Sequence, residues 1–423
     1  MDNTAFPRLA TLEAVVAATS PETWRMLPKI AIVCCQHLLE TTGSLIECLI
    51  RHGLPPARVF IVGKVYSSNR RVAQTLSHLG CDVMEGSRAK SPGYHSEAIE
   101  DDAKEMWQHA ECIAASNVVE GIVVLDDGAH MAGALPPFAR EFCRRRKVIG
   151  VEQTTSGLIR KRTILPVVNV ASSAIKRHIE PGLICQAILH RVRSLVELRS
   201  QGTRCGVIGL GKVGGTLASE LRRNGYTVFG YDIDDGRLES MLPRERCKSI
   251  VELVGRSDLI FGCTGRDSVP PADAFDGVRG EKTFASCSSS DGEFRSLLRQ
   301  PWLWTPMTGE KGTCPTLVSS HGAVSLRVLR SGYPVNFDNS PESVPRDDIQ
   351  LTRGLLLGAV LQAVELIASN GLAGCNTIML DPNVQRIVRQ SWRSTVSDRD
   401  GFDMSWYERE SRGNPVPCRA FRG

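Results

Sequence analysis

The chain has 423 residues with 42% hydrophobic, 23% charged and 6% aromatic content, which suits roughly two or three buried cores and excludes disorder and collagen-like repeats. Its 51 basic residues are offset by 46 acidic ones, a formal charge of +5, so there is no general electrostatic case for nucleic acid or an anionic membrane, and small-molecule chemistry is expected. No run approaches ~18 uninterrupted apolar residues and the start MDNTAFPRLATLEAVV lacks a basic n-region, so a cytoplasmic location is expected. The 14 cysteines are spread from Cys34 to Cys418 with no C-x-x-C pair. They read as reduced, mostly buried thiols, and with the histidines also scattered no metal site is expected.

In chain order, residues 1–28 read as a loosely held helical leader. KIAIVCCQ (Lys29 to Gln36) then predicts a buried strand and TTGSLIECLIRHG a helix, followed by strand ARVFIVGK, helix VAQTLSHLG and short strand CDVMEG. After the helix-prone stretch SEAIEDDAKEMWQHAECIAAS come strands in GIVVLDDG and KVIGVEQTTSG. Strands alternating with helices predict an α/β fold with a doubly wound parallel sheet over 29–183, whose ligand lies at the carboxyl ends of the strands. His37, Asp126, Asp127 and Glu152 to Thr155 sit at such ends. A long helix, about Ala174 to Ser200, leads into a second Rossmann-like unit, 184–337, with strands CGVIGL, YTVFGYD, DLIFGCT and KTFASCS. DDIQLTRGLLLGAVLQAVELIASNG supplies one strongly apolar helix opened by Asp347-Asp348 and closed by Gly371. The polar, glycine-rich end from Arg399 is expected to be a surface arm or disordered.

Gly209, Gly211 and Gly214 form G-x-G-x-x-G between strand CGVI and helix VGGTLASELRR. Such glycines allow a tight turn and close approach of a pyrophosphate to the helix N-terminus, where Lys212 and Val213 lie. Asp232, 23 residues after Gly209, ends the next strand, and a carboxylate there accepts from a ribose 2′-hydroxyl and repels a 2′-phosphate. NAD is therefore the expected cofactor.

The order of the runs CQHLLETTGSLIECL, VVLDDG, GVEQTTSG, LPVVNVASSAIKRHIEP, GLGKVGG with YDIDD, GCTG and YPVNFD resembles the S-adenosylhomocysteine hydrolase (adenosylhomocysteinase) family over most of residues 29–370. The resemblance implies a substrate domain, an NAD domain, a C-terminal helix that returns to the first domain, and a homo-oligomer, dimer or tetramer. It implies bound NAD⁺ that oxidises a nucleoside 3′-hydroxyl, so that the C4′ proton is lost and the C5′ thiol expelled. It also implies roles: Lys176 and Glu180 at the oxidised hydroxyl, and His37, Asp127 and Gln153 around the neighbouring carbon. Thr154, Thr155, Ser156 and Asn336 would hold the nicotinamide end, and Thr264 and Gly265 in GCTG would line the cofactor.

The departures from the family lie on the substrate side. Gln153 stands for a glutamate, Glu180 for an aspartate, Pro181 for an asparagine and Ser289 for a histidine, while Leu39 and Thr41 replace a threonine and a glutamate that read adenosine. The expected function is thus NAD-dependent oxidation of a hydroxyl on a divergent nucleoside or thioether. Two alternatives stay open: hydrolysis of S-adenosylhomocysteine with His321 or His178 standing in, and a catalytically silent NAD-binding regulator. Plainer roles are open too: Lys176 as a solvated helix charge, His37 as a core histidine, Asp126-Asp127 as loop caps, and Arg144 to Lys147 as a solvated helix end.

Overall fold

Runs of β-branched residues with no polar alternation are the signature of strands buried on both faces, and they build two sheets. The computed structural model describes residues 4–87, 94–113, 115–144, 147–160, 165–197, 202–289, 291–307, 314–369 and 377–397. The first sheet contains Ile30–Gln36 (β1), Val59–Gly63 (β2), Asp82–Met84 (β3), Gly121–Asp126 (β4), Val148–Glu152 (β5) and Val167–Asn169 (β6). The second contains Arg204–Ile208 (β7), Thr227–Tyr231 (β8), Leu259–Gly262 (β9), Gly280–Ser286 (β10), Thr305–Pro306 (β11), Leu317–His321 (β12) and Val324–Val328 (β13). A last strand, Thr377–Met379 (β14), returns to the first sheet beside β6.

The first sheet runs β14-β6-β5-β4-β1-β2-β3 and is parallel throughout. Strand order therefore reverses between β1 and β4, opening a crevice at their carboxyl ends. In the second sheet, β11-β12-β13-β10-β9-β7-β8, the strands from β13 to β8 are parallel and β12 and β11 are antiparallel additions. Its reversal lies between β7 and β9. The α/β class with two Rossmann-like units is the one the sequence predicts; β6, β11 to β14 and the helix Pro382–Ser397 are additions to it.

The first domain closes over the helix Arg346–Ser369, which packs on β4, β5 and β6. By length and mean hydropathy alone this helix could cross a bilayer, but most of it is buried inside the protein, as suits a core helix. Its face is apolar all round because the sheet lies on one side and helices Ala10–Ala18 and Pro382–Ser397 on the other. The leader is likewise not loose: Phe6, Leu9, Leu12 and Val15 are buried in the first core, and Thr11 Oγ1 donates to the Gln350 carbonyl at 2.6 Å. Leu12→Ala is expected to cost about 2–5 kcal/mol in denaturant unfolding; a loss below about 1 kcal/mol would mean that the leader is not part of the core.

Helix Ala174–Leu195 joins the domains. Ile175, Ile179 and Leu183 belong to the first core, whereas Cys185, Ile188, Leu189 and Val192 belong to the second. The expected boundary at 183/184 thus falls inside one helix, just after Pro181, which cannot donate to the Arg177 carbonyl. The expected surface arm lies outside the described residues, as does Gly371.

Candidate active site

The cofactor cradle follows β7. Gly209 has φ +87°, a conformation that favours glycine, and a Cβ on Gly214 would stand 1.8 Å from the Gly209 carbonyl oxygen. A Cβ on Gly211 would meet only Arg237 Nη1, at 3.7 Å. The first glycine thus makes the turn, the third admits the helix, and the second leaves an open face for a pyrophosphate above the helix N-terminus at Lys212 and Val213. Asp232 is buried and accepts the Leu210 and Asp234 amides at 2.6 and 2.9 Å, with lone pairs to spare for a ribose. Beside it Ile233 is 83% exposed, an apolar face for an adenine ring. These residues fit NAD. Gly214→Ala is expected to weaken NAD binding by more than about tenfold in calorimetry (~1.4 kcal/mol); equal affinity would show that the helix does not have to approach the turn.

Thr264 and Gly265 follow β9 as expected, but their amides and the Thr264 hydroxyl are held by buried Glu293, at 3.1, 2.8 and 2.7 Å. They shape the loop that faces the cofactor. Asn336 is half-buried and precedes Phe337, which stacks on His37 at 4.3 Å across the seam between the domains.

In the first crevice His37 follows β1 and Asp127 follows β4. His37 Nε2 lies 3.3 Å from Asp127 Oδ2, and Nδ1 lies 2.5 Å from Ser67 Oγ. Because a carboxylate only accepts, Nε2 carries the proton and Nδ1 accepts from the serine hydroxyl. Asp127 also takes Lys64 Nζ on one oxygen and Gln153 Nε2 on the other. Burial alone would raise the Asp127 carboxyl, yet Lys64 and His37 hold it well below the usual range. Burial pushes the His37 imidazole down, only partly offset by Asp127. The result is an ionised Asp127, a neutral His37 and an ammonium at Lys64, a residue that the sequence reading passed over.

The turn behind this group is strained and braced. Gly128 and Ala129 both have positive φ, +100° and +56°, and their amides donate to Glu152 at 3.1 and 2.9 Å, while the His130 and Ala132 amides donate to Asp126 at 3.1 and 2.9 Å. An alanine there costs roughly 1–2 kcal/mol, which the four backbone bonds to these two carboxyls offset; burial pushes the carboxyls up, Glu152 to about 8 and Asp126 to about 6. Asp126 and Glu152 therefore shape the turn. Thr154 is committed to Glu152 through its amide and hydroxyl, both at 2.7 Å, and Thr155 is exposed. Among the described residues, Ser156 is the one of the three hydroxyls that reaches the second domain, where its Oγ is 3.5 Å from Ser289 Oγ.

Lys176 and Glu180, one turn apart on helix Ala174–Leu195, form an ion pair, and Thr352 Oγ1 donates to the second Glu180 oxygen at 2.9 Å. Next to Thr352, the buried Arg353 guanidinium feels the charges of Glu342, Glu180 and Asp127. The returning helix thereby touches the Lys176–Glu180 pair through Thr352 and the start of helix Glu40–Arg51 through Arg353, which donates to Thr41 Oγ1 at 3.0 Å.

The seam holds a second residue that sequence reasoning missed. His95 is buried between Tyr66 and Tyr333, ring centroids 5.3 and 5.4 Å away, and neither ring nitrogen has a partner among the described residues. Burial pushes its pKa down to about 3, so the imidazole is neutral. Its amide donates to Asp291 at 2.8 Å and Tyr66 Oη donates to the Ser289 carbonyl at 2.8 Å. The two histidines weighed as stand-ins lie elsewhere: His178 is exposed and lines a cavity with Lys212 and Arg223, and His321 is on β12. No sequence pattern marked His95, the first residue of helix His95–His109. Cys34 and Cys35 are enclosed within β1, where burial pushes both thiols up, so neither is a thiolate.

Residues 204–280 match the family described as the NAD binding domain of 6-phosphogluconate dehydrogenase. The second domain is an NAD-binding domain, and its cofactor is NAD. Across 86% of the chain, two Mycobacterium tuberculosis proteins, from strains CDC 1551 and H37Rv and both described as uncharacterized, are 29% identical over 379 residues, 69% of their own length. Among solved structures, a dipicolinate synthase chain of Bacillus halodurans is similar with a TM-score of 0.39, 15% identity, and 65% of this chain and 88% of that chain covered. The NAD⁺-bound 3-phosphoglycerate dehydrogenase of Entamoeba histolytica is similar with a TM-score of 0.37, 11% identity, and 81% and 97% covered.

Proposed function

We propose that the protein is an NAD-dependent oxidoreductase of adenosylhomocysteinase type, which oxidises a hydroxyl of a nucleoside or a related thioether in the crevice of its first domain. The observations that carry this reading are the buried His37–Asp127 pair at the carboxyl ends of β1 and β4 and the Lys176–Glu180 pair on the helix that joins the two domains. The ordered motif runs shared with that family support the same reading.

NAD⁺, when bound, supplies a hydride acceptor. Glu180 accepts the substrate hydroxyl proton, and the Lys176 ammonium holds the oxygen as charge develops on it. A ketone so formed acidifies the neighbouring C–H, and His37 is the base within reach: its Nδ1 lone pair, released by Ser67, takes that proton while Asp127 stabilises the resulting imidazolium. Lys64 and Gln153 keep Asp127 ionised and oriented. Burial of the whole group excludes water from the oxidised intermediate.

The test is the absorbance of the NADH band when adenosine, S-adenosylhomocysteine, inosine and guanosine are added to NAD-loaded protein. A rise with any of them supports the reading. A flat trace for all four, with NAD tightly bound, overturns it.

A further inference from the structure

Under the dinucleotide turn the second domain holds two thiols that neither the cofactor nor the proposed proton transfers use. β9 and β10 are parallel neighbours with Gly262 opposite Ser286, so the next residue of each chain segment, Cys263 and Cys287, is also a facing pair. The ladder continues there, for the Cys287 amide donates to the Gly262 carbonyl at 2.8 Å. Facing residues of parallel strands carry their side chains on the same side of the sheet, with the strands about 4.8 Å apart, inside the roughly 4.4–6.8 Å between Cα atoms that a disulfide spans. Both cysteines are free, and their thiols lie within hydrogen-bonding reach of each other. They differ in access. Cys287 is 7% exposed, and burial together with the Cys263 thiol pushes its pKa well up, whereas Cys263 is half-buried at the strand-order reversal between β7 and β9. Cys263 is also the floor of the turn: a Cβ on Gly209 would stand 3.1 Å from the Cys263 carbonyl oxygen, and one on Gly214 would stand 3.1 Å from the Cys263 Cβ.

We propose that Cys263 and Cys287 form a reversible disulfide under hydrogen peroxide, and that this bond weakens the hold of the second domain on NAD. The half-buried Cys263 sulfur, as thiolate, attacks one peroxide oxygen; the O–O bond breaks, hydroxide leaves and takes up the thiol proton as water, and Cys263 becomes a sulfenic acid. The Cys287 sulfur then attacks the Cys263 sulfur, the S–O bond breaks, and the departing hydroxide takes the Cys287 proton as a second water. Each sulfur has lost one electron and peroxide has gained two. The new bond draws the ends of β9 and β10 together. Because the core beneath them is close-packed, the displacement passes to Gly209 above Cys263 and to Thr264 and Gly265 after it, the residues that shape the cofactor cradle. By linkage, bound NAD favours the reduced thiols by the same factor. None of this depends on which substrate the first domain takes.

The experiment treats reduced full-length protein with hydrogen peroxide, maps its cysteines by mass spectrometry, and titrates NAD calorimetrically before and after. Trypsin puts Cys263, Cys287 and Cys185 on separate peptides, 257–266, 283–295 and 178–191, so the partner in any bond is identified. The expected result is a crosslink of 257–266 to 283–295 with the loss of two hydrogens, NAD binding weaker by at least about tenfold, recovery with dithiothreitol, and slower crosslinking at saturating NAD. Cys263→Ser should form no such crosslink and bind NAD equally well before and after peroxide. No bond, a bond from Cys263 to Cys185 instead, a bond that leaves NAD affinity unchanged, or an equal loss of affinity in Cys263→Ser would each overturn the proposal. The crosslink and the affinity of the unaltered protein remain decisive if the serine variant does not fold.

Discussion

Lys176→Ala is expected to lower the rate of NADH formation from NAD-loaded protein by about 10²–10³-fold, the usual loss when one group that stabilises a developing oxyanion is removed. Folding and NAD affinity are expected to hold. Lys176 lies one turn from Glu180, and when the ammonium is gone Glu180 still has the Thr352 hydroxyl at 2.9 Å and the charge of Arg353 nearby. The cofactor cradle, built from Gly209, Gly214 and Asp232, is on another sheet. The decisive measurement is therefore the rate at saturating nucleoside with NAD content checked in parallel. A rate equal to that of the unaltered protein would remove Lys176 from the chemistry and leave it a helix charge.

Lys64→Met should have the largest effect on stability, a loss of about 3–5 kcal/mol, because it leaves a buried carboxylate without its cation. Lys64 and Asp127 are 2% and 3% exposed, so little solvent screening applies. The pH dependence has a definite sign. Asp127 is held below its usual pKa in the folded protein, so its contribution is present above about pH 4 and is lost as pH falls through the depressed folded value. Burial would lower the Lys64 ammonium, but the Asp127 charge outweighs it and holds Lys64 above its usual value, so its contribution is complete below about pH 10 and is lost only at higher pH. The unaltered pair is thus constant between about pH 5 and 8. In the methionine variant, burial acts on Asp127 without its main opponent, its folded pKa rises, and stability should fall as pH increases from about 4. Thermal unfolding of both proteins at pH 5 and pH 8 checks this: Asp126 and Glu152, raised by burial to about 6 and about 8, titrate in that range in each, so the variant's midpoint should fall by more than that of the unaltered protein, and an equal change in the two would contradict it.

His37, Asp127 and Lys176 could be singled out in the sequence because each sits at a strand end or in a run with a recognisable neighbourhood, and the glycines of the dinucleotide turn because a strand and a helix flank them. Lys64, His95, Arg353 and Glu342 could not. Lys64 follows β2 with no acidic residue near it in the chain; its partner Asp127 comes from the far side of β1. Arg353 lies in an apolar helix and meets Thr41 from the other end of the chain. Helix Pro382–Ser397 is a different case. Val388, Trp392 and Val396 repeat every four residues and are buried, so its apolar stripe was readable but was submerged among the charges around it.

What the amino-acid order determined on its own is local. Apolar runs of strand length, glycines at the spacing of a phosphate turn and an acid at the next strand end dictate their conformations through sterics and hydrogen bonding within a few residues, and these suffice for two Rossmann-like units and an NAD site. What only the tertiary structure decided is which charges meet. Sheet order brings β1, β2, β4 and β5 side by side, so Lys64, His37, Asp127 and Gln153 share one crevice, and the returning 346–369 helix adds Thr352 and Arg353. Electrostatic pairing depends on distance and on burial, and neither is a property of position along the chain. The protonation state of His37 and the His95 ring nitrogens without a partner among the described residues therefore come from packing alone.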